Sequence, residues 1–162
     1  MKLWPRLFEG SMSGGASIDP SNAWTVAPPD DPRNLAAALR VLLNETAAVA
    51  LESNAFDAEV ADELRPFTVD APLKIRPGTL WPTSGWLHVR ATDTALLRLG
   101  ELTRTLPAPQ VCSHLYAYDG DRLLLCWQDF SDGRILLRGD TPEVLVSRFS
   151  AELGGSLIER PT

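Results

Sequence analysis

"VCSHLYAYDGDRLLLCW", residues 111–127, holds both cysteines of the chain and one of its two histidines. Asp119-Gly120 at its centre is a strong two-residue turn signal between runs rich in tyrosine and leucine, so the stretch reads as a β-hairpin. With that turn, Cys112 lies opposite Trp127, His114 opposite Leu125 and Cys126 opposite Ser113. Side chains alternate between the two faces of a strand. Cys112, His114, Tyr116 and Tyr118 are therefore expected to share a face with Leu123, Leu125 and Trp127. Cys126 is expected on the other face, with Leu115, Ala117 and Leu124. Shifting the turn to Gly120-Asp121 keeps this parity; only an odd-length loop would reverse it.

That register bears on chemistry. Cysteines on opposite faces cannot form a disulfide through the sheet. Nor can Cys126 join Cys112 and His114 around one metal, and a structural zinc usually takes four ligands. A Cys112–His114 catalytic pair would need a thiol of depressed pKa and an oxyanion donor, and no helix N-terminus or glycine-rich loop is aimed there. A buried structural cysteine is the better-supported reading. No metal and no cofactor are expected.

Outward from the hairpin, "WLHVR" (86–90) alternates as a strand. Placed beside the hairpin with Leu87 and Val89 inward, it adds Trp86, His88 and Arg90 to the aromatic side. The candidate partner or ligand surface is then Trp86, His88, Arg90, His114, Tyr116, Tyr118 and Trp127, residue types that dominate binding hot spots. The competing expectation is that the N-terminal half covers this face and makes it core.

The remaining elements follow from periodicity and punctuation. "AWTV" (23–26) reads as a strand. A helix begins after Asp31-Pro32 and carries Leu35, Leu39, Leu42 and Leu43 on one face. Residues 47–53 read as a buried strand, expected parallel to 23–26 in a βαβ-type unit. A second helix spans roughly 57–65 and ends at Pro66. Its acids read as a solvated face, since their spacing matches no EF-hand loop.

Residues 66–85 are proline- and glycine-rich, with "LKIR" (73–76) as a short edge strand. Trp81 and Trp86 there suggest either a ligand clamp or, better supported, a crossover pinned to the core. Thr92 or Asp93 caps a helix ending at Pro107. Strands at 111–118, 122–128 and 134–138 follow. A last helix is capped by Thr141 with Pro142 at its first position, buries Leu145, Phe149 and Leu153, and stops at Gly154-Gly155.

The order β-α-β-α-loop-β-α-β-β-β-α argues an α+β fold: one domain, a mixed sheet and an antiparallel C-terminal meander. Residues 1–22 read as a flexible lead-in whose Leu3, Trp4, Leu7 and Phe8 form a short apolar arm. The domain covers 23–160, as an N-terminal βαβα half (23–70), a proline-rich crossover (71–85) and a C-terminal half (86–160).

The chain has 162 residues, 15 basic and 21 acidic, a net charge of −6. Neither half is basic, which argues against nucleic acid, because a binder must displace counterions from phosphates with cationic groups. No apolar run approaches membrane-spanning length and no signal peptide is legible. Two cysteines that need not pair fit a reducing compartment, hence a cytoplasmic expectation. Arginine in place of lysine, with abundant alanine and leucine, suggests a high-GC bacterial source.

No nucleotide-binding, metalloprotease or serine-hydrolase motif is present. The reading is a small acidic protein that acts by binding another protein, with antitoxin or immunity-type inhibitors as examples. One alternative is an enzyme or small-ligand binder with a pocket near the Trp81–Trp86 loop, using His88 or His114 with Asp129 or Asp132. The other is a homodimer or larger homo-oligomer formed through the aromatic face.

Overall fold

The computed structural model describes residues 14–32, 34–70 and 73–162. The apolar arm expected at Leu3 to Phe8 lies outside the described residues. Strands β1 (Ala23–Ala27), β2 (Ala48–Ser53), β3 (Gly85–Arg90), β4 (His114–Asp119), β5 (Arg122–Trp127), β6 (Ile135–Arg138) and β7 (Ser156–Glu159) form one sheet. Their order is β3-β2-β4-β5-β6-β1-β7, and every ladder is antiparallel. The α+β class and the C-terminal meander β4-β5-β6 are as the sequence suggests. The parallel ladder expected between residues 23–26 and 47–52 does not form. The two strands do run the same way, as a helical crossover requires, but β4, β5 and β6 sit between them. Four strand spacings, roughly 19 Å, separate them.

The helices are α1 (Leu35–Leu42), α2 (Ala58–Leu64), α3 (Asp93–Thr105), the short α4 (Ala108–Val111) and α5 (Glu143–Leu153). Helix α1 packs against both α3 and α5. Leu35, Leu39, Leu99 and Phe149 fill the layer between these helices and Val49, Leu51, Leu115, Leu125 and Leu137 of the sheet. Each such fully buried side chain contributes about 1.5–3 kcal/mol over exposure.

Local starts and stops vary in how closely they follow expectation. Thr92 caps α3 by accepting from the Ala95 amide at 3.2 Å. Asp57 caps α2 through the Glu59 amide at 2.9 Å. Helix α1 starts later than expected, with Asn34 rather than Asp31 at its N-cap position. Helix α5 takes Pro142, not Thr141, as N-cap and buries Val146 where Leu145 was expected. It ends at Gly154, whose φ of 82° is the left-handed conformation that glycine adopts without penalty.

The other face of the sheet is covered by irregular chain. Ile75 is buried there, with Ala16, Ile18, Val69 and Leu73 packed around it. Residues 73–76 are not an edge strand; Ile75 makes a single parallel bridge to Ala16. The Ala16 amide donates to the Lys74 carbonyl at 2.8 Å, and the Arg76 amide donates to the Ala16 carbonyl at 2.9 Å. The part of the expected lead-in that is described thus lies across the sheet.

Candidate functional site

Strand β2 directs Ala48, Ala50 and Glu52 to the face away from the helices. Ala48 lies between Arg90 and Tyr118, Ala50 between His88 and Tyr116, and Glu52 between Trp86 and His114. Small side chains on the middle strand let rings from both neighbours lean over it. Trp86 sits 5.5 Å from the Tyr116 ring and 5.9 Å from His88, and His88 meets Tyr118 edge-on at 5.7 Å. Six of the seven expected surface residues, Trp86, His88, Arg90, His114, Tyr116 and Tyr118, therefore share one face.

Trp127 does not join them. The hairpin turns at Gly120-Asp121, with Asp119 opposite Arg122, but the register shifts between Ala117 and Tyr118. Tyr118 pairs with Leu123 and Ala117 with Leu125, so Leu124 is an extra residue, a β-bulge. Beyond it every side chain of β5 changes face. Trp127 lies opposite Leu115 in the helix-side core, 4.8 Å from Phe130, while Cys126 pairs with Tyr116 on the aromatic side. The strand expected over 111–118 begins only at His114: Val111 ends α4 and Cys112 is its C-cap, so strand alternation does not reach Cys112, which packs with the helix-side core. Both cysteines are free and on opposite sides of the sheet, each reversed from its expected side.

The aromatic face is not bare. His88, His114, Tyr116 and Tyr118 are buried and Trp86 is half-buried, whereas Arg90 is exposed. The cover includes Ala16, Ile18, Val69, Leu73 and Ile75, and is not the N-terminal βαβα half as a layer.

Glu52 fastens the crossover to the sheet. Its side chain is fully buried. Oε1 accepts from the Gly78 amide at 2.7 Å and the Tyr116 hydroxyl at 3.0 Å, and Oε2 accepts from the Thr79 amide at 3.0 Å. His114 completes the anchor. Its Nδ1 accepts from the Asp129 amide at 2.9 Å, which leaves the ring proton on Nε2, 2.7 Å from the Thr79 hydroxyl. Gly78 lies so close that a Cβ there would stand 2.7–2.9 Å from the imidazole.

These groups are held rather than poised to react. Burial, reinforced by Glu52, pushes the Tyr116 hydroxyl well above its usual range. Burial also raises Cys112, with Glu52 adding to it, and pushes Cys126 up to about 12. Neither thiol is a nucleophile at neutral pH, since the thiolate is the reactive form. Burial lowers His88, which shares a 2.8 Å hydrogen bond with Tyr118.

Above Tyr116 and Cys126 lies a cleft of about 580 Å³, walled by residues 16–20, by the loop at 76–80 and by the facing ends of β5 and β6. Arg76, Gln128 and Arg134 line it beside Leu80 and Leu136. His88 and Trp86 border a separate cavity of about 370 Å³, with Lys74 and Ile75. Asp129 and Asp132, expected as helpers of a histidine, belong to the turn after β5, where the Asp132 amide donates to the Asp129 carbonyl at 2.9 Å. At the tip of the crossover Leu80 and Trp81 are 60% and 86% exposed.

Among the described residues no group of three or more histidine, cysteine, aspartate and glutamate side chains could hold a metal ion. No described helix is long and apolar enough to cross a membrane. Comparisons with protein-family models, with curated proteins and with solved structures find no match.

Sequence reasoning passed over Glu52, Arg76 and Arg134. Glu52 carries a local signal, an acid in the otherwise apolar strand "AVALES", because acids are almost never fully buried without partners. The two arginines carry none, since only the folded chain brings residues 76 and 134 to one cleft.

Proposed function

We propose that this is a non-catalytic protein-binding module whose recognition element is the tip of the proline-rich crossover, at Leu80 and Trp81. The observation that carries this reading is Trp81, 86% exposed beside an exposed Leu80, on a loop whose base is tied to the sheet through Glu52. Tryptophan is the residue type most enriched at binding hot spots, and a loop fixed before binding loses less entropy in the complex. The partner in this reading presents an apolar pocket to Trp81, and a net charge of −6 suits a basic protein and disfavours nucleic acid. Antitoxins and immunity-type inhibitors are examples of the class. Two unpaired thiols fit the reducing cytoplasm as its setting.

The test pairs wild type with Trp81→Ala, a change at an exposed position that leaves the core untouched. Light scattering across a dilution series reads self-association, and crosslinking in source lysate reads other partners. A stoichiometric complex, with another protein or a second copy, is expected for wild type and lost in the variant. Identical complexes for both chains would remove the loop tip from the reading.

A further inference from the structure

We propose that the cleft over Tyr116 and Cys126 binds a small organic anion. Its oxyanion head lies between Arg76 and Arg134, and its apolar body lies over Leu80, Leu136 and the Tyr116 ring. Leu80 is common to this site and to the loop tip proposed to contact a protein, but the anion is held by Arg76 and Arg134, which that contact does not use.

Position, more than pairing, marks the two arginines out: among the described residues Arg90 and Arg148 likewise form no ion pair with a carboxylate, but Arg76 and Arg134 are the basic residues that line this cleft. Arg40, Arg65, Arg98, Arg122, Arg138 and Arg160 each lie within 4.0 Å of a carboxylate. Arg76 and Arg134 form no ion pair among the described residues, although acids outnumber bases 21 to 15 in the chain. Both are exposed, come from different segments and line the same cleft. Guanidinium groups suit phosphate and carboxylate because their planar N–H fork matches two oxygens. A cleft of about 580 Å³ has the volume of ordinary small-ligand sites.

The backbone under both arginines is held. The Arg76 amide is bonded to Ala16. Arg134 follows a tight loop in which Asp129 and Ser131 take left-handed φ values of 52° and 79°. A Cβ on Gly133 would stand 1.9 Å from the Gln128 carbonyl oxygen, so only glycine closes that loop. Left-handed non-glycine residues persist where surrounding structure imposes them, and they concentrate at ligand sites. The lining also holds one acid, Asp19, whose Oδ1 accepts from the Ser21 amide at 2.9 Å and the Ser21 hydroxyl at 2.8 Å. Its charge opposes the anion and gives the test a second sign.

Calorimetric titration of the full chain at low ionic strength, with phenyl phosphate, benzoate and benzyl alcohol as probes, tests the site. The anions are expected to bind at least about tenfold more tightly than the neutral alcohol. The stronger of the two anions identifies a phosphate or a carboxylate as the preferred head. Arg76→Ala and Arg134→Ala should each weaken that anion about tenfold, and Asp19→Asn should tighten it. Arg148→Ala, on the helix side of the sheet, should leave it unchanged. Circular dichroism checks that each variant is folded. Equal binding of the neutral probe, unaltered binding by the double arginine variant, or no anion binding at millimolar concentration would each overturn the proposal.

Discussion

The two faces of one sheet are built by different means. On one, regular helices lay leucine, valine and phenylalanine against the strands, and the layer is held by apolar burial. On the other, irregular chain covers tyrosine, histidine and tryptophan, and a buried glutamate ties it down. Burial on the helical side is nondirectional and spread over many residues. The loop side depends on a few directional bonds, each of which strands a donor when broken. The first arrangement should unfold as a whole, and the second should open locally while the rest stays folded.

The widest separation comes from setting Phe149→Ala against Glu52→Gln. Phe149 is fully buried among the helices, and truncating it should cost about 3–5 kcal/mol of global stability. Glu52→Gln keeps the shape but leaves the Gly78 and Thr79 amides and the Tyr116 hydroxyl competing for one carbonyl oxygen. About 2 kcal/mol is expected, paid mostly by the crossover. Hydrogen exchange distinguishes the two outcomes. In Glu52→Gln the Gly78 and Thr79 amides should lose protection while those of β1 and β6 keep theirs; in Phe149→Ala protection should fall throughout. Uniform loss in both variants would mean that the faces are one cooperative unit.

A smaller effect is expected at Gly78, which touches the loop side alone. A methyl group there meets the His114 ring at 2.7–2.9 Å, and the ring is held at both nitrogens. Gly78→Ala should cost about 1–2 kcal/mol as an overpacked site. It should also move the His114 imidazole resonances by NMR while leaving Phe149 unshifted. A variant as stable as wild type with an unmoved His114 would show that the crossover yields more easily than its bonds suggest.

The contrast between the faces also governs what could be read in advance. Helices and most strands are legible because their periodicity is local: Leu96, Leu99 and Leu102 mark α3, and the alternation of "WLHVR" marks β3. Strand adjacency is not local. β1 and β2 have the sequence of a crossover pair, yet β1 is paired instead by β6 and β7. The face of Trp127 was hidden for a sharper reason. In "RLLLCW" three consecutive leucines erase the alternation, so nothing marks Leu124 as the bulged residue, and one extra residue reverses everything after it. His114, Tyr116 and Tyr118 precede the bulge and sit on the expected face. The cover over that face was unreadable because residues 14–19 have no apolar periodicity and the alternation of "LKIR" (73–76) reads as an edge strand rather than a cover; a buried side chain on another strand, Glu52, holds part of it.

The smallest effect, and the most specific to the loop side, is the pH response of His88. Burial lowers its pKa below the ordinary 6.5, so the unfolded chain takes up a proton more readily than the folded one. Stability then rises with pH across this window. The contribution is fully present above about pH 6.5 and is lost as pH falls through the lower folded value. Tyr118, bonded to His88 at 2.8 Å, and Lys74, which shares its cavity, are the polar neighbours, and neither favours an imidazolium there. Urea midpoints at about pH 7.5 and about pH 5 should therefore differ more for wild type than for His88→Gln, which keeps a hydrogen-bonding group beside Tyr118 but does not titrate. Phe149→Ala should lower both midpoints and leave their difference unchanged, because no titrating group changes on the helical side. If His88→Gln retained the full pH dependence, the acid sensitivity of the fold would lie outside the aromatic face.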